Sequence, residues 1–257
     1  MSKKVNWISV AIMIGLLLID QWLDVSVWIY VALVTAYIGV QVYGSSVLSA
    51  GYYLPVLWRG TEASGAVALT FDDGPVAGRT DKILDILSQH QAPAAFFCIG
   101  KRVEAHPQLI HRMHDAGHLI ANHSFFHHAT FDLQTAAAIG AELQSTDQAI
   151  ERAIGAKPIY FRPPFGVTNP MVASAVRKGA YKTIGWSIRS FDTVINDRAR
   201  LLRRITESLK GGDIILLHDH GPCTVDILSD LINQISALGL KIVRVDQLLN
   251  EKAYAQL

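Results

Sequence analysis

Two apolar patterns divide this chain of 257 residues. From about residue 61 onward, short apolar segments alternate with longer stretches whose apolar positions recur at helical spacing. The short segments predict strands at residues 66–71, 94–99, 118–121, 159–161, 181–186, 213–217 and 240–243. The longer stretches predict helices at residues 80–90, 107–117, 135–154, 170–178, 197–210 and 225–238, and a short one after residue 246. Strands that alternate with helices indicate parallel pairing, so we expect an α/β layer or barrel over residues 61–257.

Residues 1–60 are different, because two long apolar runs follow one another. The first covers residues 7–19, and the second covers residues 25–44 after Asp20 and Asp24. With its flanks, each run approaches the roughly 20 residues that a helix needs to cross a bilayer. We expect two transmembrane helices and an interfacial linker. A cleaved signal peptide is the alternative, but it leaves the second run unexplained.

Charge bears on the orientation of this segment. Lys3, Lys4 and Arg59 flank one end of such a hairpin, and the turn carries only acids. The positive-inside rule then puts both termini and the following domain of this multi-pass inner-membrane protein in the cytoplasm. If only one run spans the membrane, the domain lies outside.

Composition narrows the class of protein. Half of the residues are apolar and the net charge is +1, with no basic run that would indicate a nucleic-acid partner. No feature indicates a protein partner. Cys98 lies in an apolar segment and is expected in the core. Four histidines, at positions 106, 111, 114 and 118, are expected on the surface.

Candidate chemistry begins at the end of the first predicted strand, in Thr-Phe-Asp-Asp-Gly-Pro. Where a strand turns, Asp72 and Asp73 can approach one site from different directions. One carboxylate can then bind an ion while the other handles protons on its water. Ordinary turn chemistry also explains such a sequence.

Two histidines follow the third predicted strand. His123 and His127 share a face if the backbone turns helically there. With Asp73 they make a set of two histidines and one carboxylate that leaves coordination positions open for water and substrate.

Two further strand ends carry polar groups. In Arg-Pro-Pro-Phe-Gly, Arg162 can hold Asp72 ionised, and two prolines leave the amide of Phe165 as a conspicuous donor. His218 ends a buried strand and can serve as a general acid. Asp192 can fix the tautomer of His218, and Asp219 is the alternative for that role.

In order and spacing, these motifs resemble those of the polysaccharide deacetylase family, the NodB-homology carbohydrate esterases. The resemblance covers about residues 65–243 and is carried by TFDDGP, HSxxH, RPPFG and LLHD. It implies a distorted (β/α) barrel of about seven strands, preceded here by the transmembrane helical hairpin. It also implies a divalent metal, most often Zn²⁺, with Co²⁺ or Ni²⁺ as alternatives.

The resemblance also implies residue roles. Asp73, His123 and His127 would be metal ligands, Asp72 the general base and His218 the general acid. Arg162 would orient Asp72, Asp192 would tune His218, and the loop of Pro164, Phe165 and Gly166 would contact the substrate and its oxyanion. The fourth motif departs from the family pattern: Thr193 replaces a tryptophan, and Arg189 stands where an acid is common. This departure bears on specificity.

The expected function is metal-dependent removal of N-acetyl groups from amino sugars of a cell-wall, surface or lipid-linked glycan. The short linker to the membrane favours a substrate near the bilayer, while family substrates often lie outside the cell. Deformylation of a lipid-linked amino sugar is one alternative. A membrane-anchored saccharide-binding domain without turnover is another.

Overall fold

A computed structural model describes residues 1–255. Its helices are α1 (Ser2–Ile19), α2 (Val27–Ser46), α3 (Thr80–Gln89), α4 (Gly100–Ala105), α5 (Pro107–Asp115), α6 (Ala136–Ile154), α7 (Pro170–Lys178), α8 (Arg198–Thr206), α9 (Thr224–Ala237) and α10 (Val245–Leu248). Its strands are β1 (Val56–Leu57), β2 (Ala66–Gly74), β3 (Ala94–Cys98), β4 (Leu119–Asn122), β5 (Tyr160–Phe161), β6 (Lys182–Ile184), β7 (Ile188–Arg189), β8 (Ile214–His218) and β9 (Lys241–Ile242).

The strands form one curved parallel sheet, a half-barrel with helices packed outside. The strand order is β1-β6-β5-β4-β3-β2-β8-β7, and β9 pairs separately with β2. Strand β2 is therefore the centre of the sheet, with β3, β8 and β9 as neighbours. The predicted α/β fold is confirmed. All seven predicted strands are present, and the two short strands β1 and β7 bring the total over residues 1–255 to nine.

The two faces of β2 have different roles, because successive side chains of a strand point to opposite faces. Val67, Leu69 and Phe71 join a large apolar core under the outer helices. Ala66 and Ala68 face the concave side and belong to a second core, which α10 helps to close. Every residue of β2 is buried. The polar residues Thr70 and Asp72 alternate with the first set, so they continue the concave face.

The N-terminal helices α1 and α2 form an antiparallel pair. The hydroxyl of Tyr30 donates to the carbonyl of Leu16 at 3.3 Å, and that of Tyr37 donates to Asn6 at 3.2 Å. The two helices contain 18 and 20 residues, have a mean hydropathy of 1.5, and are long and apolar enough to cross a membrane. Almost none of their residues are buried within the protein, so both helices carry apolar side chains at the surface.

The end of α2 is packed against the rest of the protein. The amide of Thr168 donates to the carbonyl of Ser45 at 3.0 Å. Leu48 and Tyr52 are only 5% and 4% exposed. Gly44 is required here, because a Cβ at this position would overlap the ring of Tyr52. The hairpin is therefore docked on the α/β domain through its last turn and the linker.

Helix α4, strand β7 and the end of helix α8 differ from the sequence predictions. Helix α4 was not predicted, because its six residues are too few for a periodic pattern. Strand β7 was not predicted either, because Gly185 ends β6 and the chain moves to the other edge of the sheet to pair with β8. Helix α8 ends at Thr206, four residues before the expected end.

The prediction of a surface position is wrong for His118, which is 4% exposed. Its Nδ1 accepts a hydrogen bond from the amide of Ala94 at 3.1 Å, and its ring lies against Phe96. Burial, with a smaller effect of the Arg244 charge, lowers the pKa of His118 to about 4.

The low pKa of His118 predicts acid sensitivity. In the unfolded chain His118 binds a proton below its ordinary pKa of about 6.5. In the folded chain it binds this proton only below about pH 4. The free energy of unfolding should therefore fall by up to about 3 kcal/mol between these pH values. His118→Asn keeps an acceptor near Nδ1 but does not titrate. Denaturation between pH 4 and pH 7 should show a smaller fall in the free energy of unfolding for this variant than for the wild type. Identical falls in the two proteins would contradict the low pKa of His118.

Candidate active site

The carboxyl ends of the central strands surround a pocket of about 350 Å³. This edge is where parallel α/β folds gather their functional groups. Acidic and imidazole side chains form its floor: Asp72, Asp73, His123, His127, His218 and His220. Its walls come from Phe165, Gly166, Trp186, Arg189, Phe191, Thr193, Val194 and Leu216.

The backbone at the end of β2 explains how two adjacent aspartates reach one pocket. Asp73 has φ +70°, and the pairing of β2 with β3 shifts register between Asp72 and Gly74. The guanidinium of Arg102 donates to the carbonyl of Asp73 and so holds this conformation. The usual alternation of side chains is thereby broken, and both carboxylates face the pocket.

Asp73, His123 and His127 lie together as a group that can hold a metal ion. The Oδ1 atom of Asp73 lies 3.4 Å from Nε2 of His123 and 3.3 Å from Nε2 of His127. Metal–ligand distances of about 2.0–2.1 Å in a tetrahedral site correspond to ligand–ligand separations of about 3.3–3.4 Å. Within residues 1–255, Oδ1 of Asp73 is buried and has no hydrogen-bond donor. The donor set therefore fits a divalent ion such as Zn²⁺.

The orientation of His123 also fits a metal ligand. Its Nδ1 lies 2.7 Å from the carbonyl oxygen of Arg162, so Nδ1–H donates to that oxygen. This hydrogen bond fixes the tautomer and leaves the lone pair of Nε2 directed at Asp73. A ligating histidine usually has such a partner on its other ring nitrogen.

The two histidines do not meet on a helical turn, contrary to the expectation from their spacing. Ser124 and His127 have φ +63° and +54°, so the segment is an irregular loop. The amide of His127 donates to Oγ of Ser124 at 3.2 Å. Glu142 on α6 accepts from the amides of Phe125 and Phe126 at 3.2 and 3.1 Å. Side-chain acceptors therefore replace the helical hydrogen bonds and bring the imidazoles together.

Arg162 lies directly behind Asp72 and is completely buried. Its Nη1 donates to Oδ1 of Asp72 at 2.7 Å and to Oγ1 of Thr70 at 2.9 Å. Its Nη2 donates to the carbonyl of Gly185 at 2.8 Å. These contacts fix Oδ1 of Asp72. The other carboxylate oxygen, Oδ2, faces the pocket and lies 3.8 Å from Nε2 of His123.

His218 and Asp192 form a second pair. Oδ1 of Asp192 lies 2.8 Å from Nδ1 of His218, and Oδ2 accepts from the amide of His218 at 2.7 Å. Thr224 also donates to Oδ2 of Asp192. The alternative, Asp219, forms no hydrogen bond with the ring of His218 in the described chain; its carboxylate accepts from the hydroxyl of Thr80. Asp192 therefore orients His218.

Charge and burial act in opposite directions on these groups. Burial raises the pKa of Asp73, but the neighbouring imidazole groups of His123, His127 and His218 outweigh this effect and lower the pKa. Burial lowers the pKa of His218, but Asp192 and Asp72 outweigh it and raise the pKa. Burial and the charge of His123 lower the pKa of His127, which favours the neutral imidazole that a metal requires.

The loop after Arg162 shapes one wall of the pocket. Phe165 has φ +59°, and its ring lies 4.8 Å from that of His127. Gly166 has φ +71°, and a Cβ there would overlap the ring of Trp186. Pro164, which was expected to contact substrate, is buried and is not among the residues that line the pocket.

Several pocket residues were not identified from the sequence. Trp186, Phe191, Val194 and Leu216 are ordinary apolar residues whose role depends on the position of their loops. His220 is different, because its Nδ1 lies 3.4 Å from Oδ2 of Asp73. Its position two residues after His218, beyond a strand end, was a usable signal.

Comparison with known proteins extends these observations. The pattern of the polysaccharide deacetylase family matches residues 59–184. The chain is 34% identical over 199 residues to peptidoglycan-N-acetylmuramic acid deacetylase PdaA of Bacillus subtilis, covering 76% of this chain and 75% of the relative. It is 32% identical over 212 residues to a peptidoglycan-N-acetylglucosamine deacetylase of Bacillus cereus, covering 77% and 94%.

A solved structure agrees in fold. The crystal structure of the Bc1960 peptidoglycan N-acetylglucosamine deacetylase superposes with a TM-score of 0.73 at 27% identity, covering 78% of this chain and 95% of that one. These similarities define a carbohydrate-active hydrolase that acts on carbon–nitrogen bonds other than peptide bonds. The chain belongs to the polysaccharide deacetylase family.

The ligand set predicts which substitutions abolish metal binding. Asp73→Ala and His127→Ala each remove one of three donors and should weaken zinc binding by more than about 100-fold, beyond the loss typical of outer-shell changes. Asp72→Asn is the matched control, because it alters the neighbouring carboxylate and leaves the three donors intact. Bound metal after dialysis, and the rise in melting temperature on adding zinc, measure the effect. Unchanged zinc affinity in Asp73→Ala would contradict the ligand assignment.

Proposed function

We propose that this chain is a membrane-anchored, metal-dependent deacetylase that removes N-acetyl groups from amino sugars of a cell-wall, surface or lipid-linked glycan. In this proposal residues 1–60 form the membrane segment and residues 61–257 the catalytic domain. The observation that carries the proposal is the pairing of two acid–base groups around one ligand cluster: Asp72 is held by Arg162, and His218 is held by Asp192. The names of the related proteins support the chemical class.

Asp73, His123 and His127 would hold the ion, most often Zn²⁺, with Co²⁺ or Ni²⁺ as alternatives. When bound, a divalent ion supplies Lewis acidity, which polarises the acyl carbonyl and lowers the pKa of water. Three protein ligands are the usual number in a catalytic zinc site, because the remaining position serves water or substrate.

Asp72 is the general base of this mechanism. Its Oδ1 is engaged by Arg162, so Oδ2 is the atom that accepts the proton of the attacking water. The buried guanidinium of Arg162 fixes the orientation of this carboxylate through a charge-assisted hydrogen bond.

His218 is the general acid. Its Nδ1 faces Asp192, so Nε2 is the atom that gives a proton to the departing amine. Amide nitrogen leaves poorly without this proton. The raised pKa of His218 keeps a larger fraction of the ring protonated near neutral pH.

The Phe165 amide supplies the oxyanion donor. Pro163 and Pro164 have no N–H, and within the described chain the Phe165 amide has no acceptor of its own. One such donor is typically worth about 3 kcal/mol in the transition state.

The proposed roles of Asp72 and His218 predict that replacing either residue greatly lowers kcat while the metal stays bound. Asp72→Asn and His218→Gln should each lower kcat by about 10²–10⁴-fold on an acetylated chito-oligosaccharide. His218→Gln should also remove the alkaline limb of the bell-shaped pH profile, which in the wild type lies above the ordinary histidine pKa. The assay measures released acetate and formate separately, with metal content as control. Near-normal turnover in either variant would refute the role, and formate release alone would indicate a deformylase.

The hairpin predicts a defined topology. Asp24→Cys lies in the turn between α1 and α2, and Lys101→Cys lies on the exposed surface of the α/β domain. The native Cys98 and Cys223 are both buried, so background labelling should be low. An impermeant maleimide applied to intact and opened cells should label the two positions from opposite sides of the membrane. Labelling of both positions from the same side of the membrane would contradict the hairpin. A mature protein whose mass shows that the first 50 residues have been removed would also contradict it.

A further inference from the structure

A second concave surface adjoins the catalytic pocket. It is a groove of about 450 Å³ between β7 and α8. Four arginines line it: Arg189, Arg200, Arg203 and Arg204. We call these four residues the arginine groove. Arg189 lines both the groove and the catalytic pocket, so the two surfaces are continuous.

The charge of this groove is not neutralised within the described chain. Arg200, Arg203 and Arg204 lie three and four residues apart, so they share one face of α8, where like charges repel. Over residues 1–255, none of the four guanidinium groups forms an ion pair with a carboxylate. Glu207 is the acid that lines the groove, so the charges there sum to about +3.

Arg198 on the same helix provides a contrast. It lies outside the groove and forms an ion pair with Asp226 at 2.8 Å. The accumulation of unpaired charge is thus confined to the face of α8 that is next to the pocket.

Two of the arginines are held in place by an aromatic ring. The guanidinium carbons of Arg189 and Arg204 lie 4.7 and 4.4 Å from the ring centroid of Phe191. Nε of Arg204 also donates to the carbonyl of Arg189 at 3.2 Å. Phe191 itself lines the catalytic pocket. Stacking of this kind reduces the conformational freedom that an arginine loses when it binds a ligand.

We propose that the arginine groove binds a carboxylate or phosphate group of the glycan substrate, and that the enzyme thereby selects anionic chains over neutral ones. Guanidinium groups match the geometry of both oxyanions with paired N–H donors. Because Arg189 is shared with the pocket, the anionic group belongs to the reacting sugar or to a neighbouring one. Arg189, which lies between the pocket and the arginine groove, is thus the residue that determines specificity for an anionic glycan. This assignment rests on the proposed deacetylase function.

The test uses the full chain in detergent with metal bound, and three oligosaccharides of equal length. One is a neutral chain of N-acetylglucosamine, the second carries a carboxylate ether on alternate sugars, and the third carries a phosphate monoester. For at least one anionic chain we expect KM to be about tenfold lower than for the neutral chain, a difference expected of one charge-assisted contact. High salt should reduce this difference, because the groove is exposed. The preferred anion distinguishes a carboxylate from a phosphate ligand.

Arg189→Gln and the double substitution Arg200→Gln/Arg203→Gln should each raise KM for the preferred anionic chain by about tenfold while kcat stays similar. Arg198→Gln is the matched control on the same helix and should change neither constant. Equal KM values for all three chains in the wild type would overturn the proposal. So would a preference for the anionic chain that survives in both groove variants.

Equilibrium binding separates this proposal from the deacetylase function. The three chains are titrated calorimetrically into the Asp72→Asn protein, with and without the groove substitutions. Preferential binding of an anionic chain that depends on the groove arginines supports the groove even if no chain is hydrolysed. Hydrolysis of all chains without such preferential binding supports the deacetylase and refutes the groove.

Discussion

The buried pair of Arg162 and Asp72 is the interaction on which the rest of this structure depends. A guanidinium inside a protein is costly unless its N–H groups are paired. Here Thr70, Asp72 and the carbonyls of residues 184 and 185 pair them, and the Phe97 ring lies 4.0 Å from the guanidinium carbon. Removing either charge would leave the other buried without compensation, so the pair links the core to the site.

Unusual backbone conformations accompany that pair. Eight non-glycine residues in the described chain have positive φ, and five of them are at the site: Asp73, Ser124, His127, Phe165 and Phe191. Such conformations are unfavourable for most side chains and persist where the surroundings enforce them. Here the enforcing contacts are specific, as with the Arg102 hydrogen bond to the carbonyl of Asp73 and the Ser124 hydroxyl beneath His127. These contacts hold the side chains around the pocket in one arrangement and so offset the conformational cost.

One loop joins the catalytic pocket to the N-terminal hairpin. Phe165 and Gly166 line the pocket, and the amide of Thr168, two residues further, donates to the carbonyl of Ser45 at the end of α2. The same loop therefore contacts both the site and the last turn of the helix pair. Arg189, in another part of the pocket wall, also lines the arginine groove.

The sequence by itself predicted seven of the nine strands in the described chain, most of the helices, and the polar residues that meet in the pocket. Apolar periodicity reports burial locally, and Asp72, Asp73, His123, His127, Arg162 and His218 each follow a predicted strand. Tertiary structure alone decided which of these atoms meet. It chose Asp192 over Asp219 as the partner of His218, replaced the expected helical turn at His123 with a loop, and buried His118. It also joined Arg189 on β7 to the arginines of α8. These outcomes depend on the curvature of the sheet and on contacts between residues distant in sequence, which local patterns do not encode.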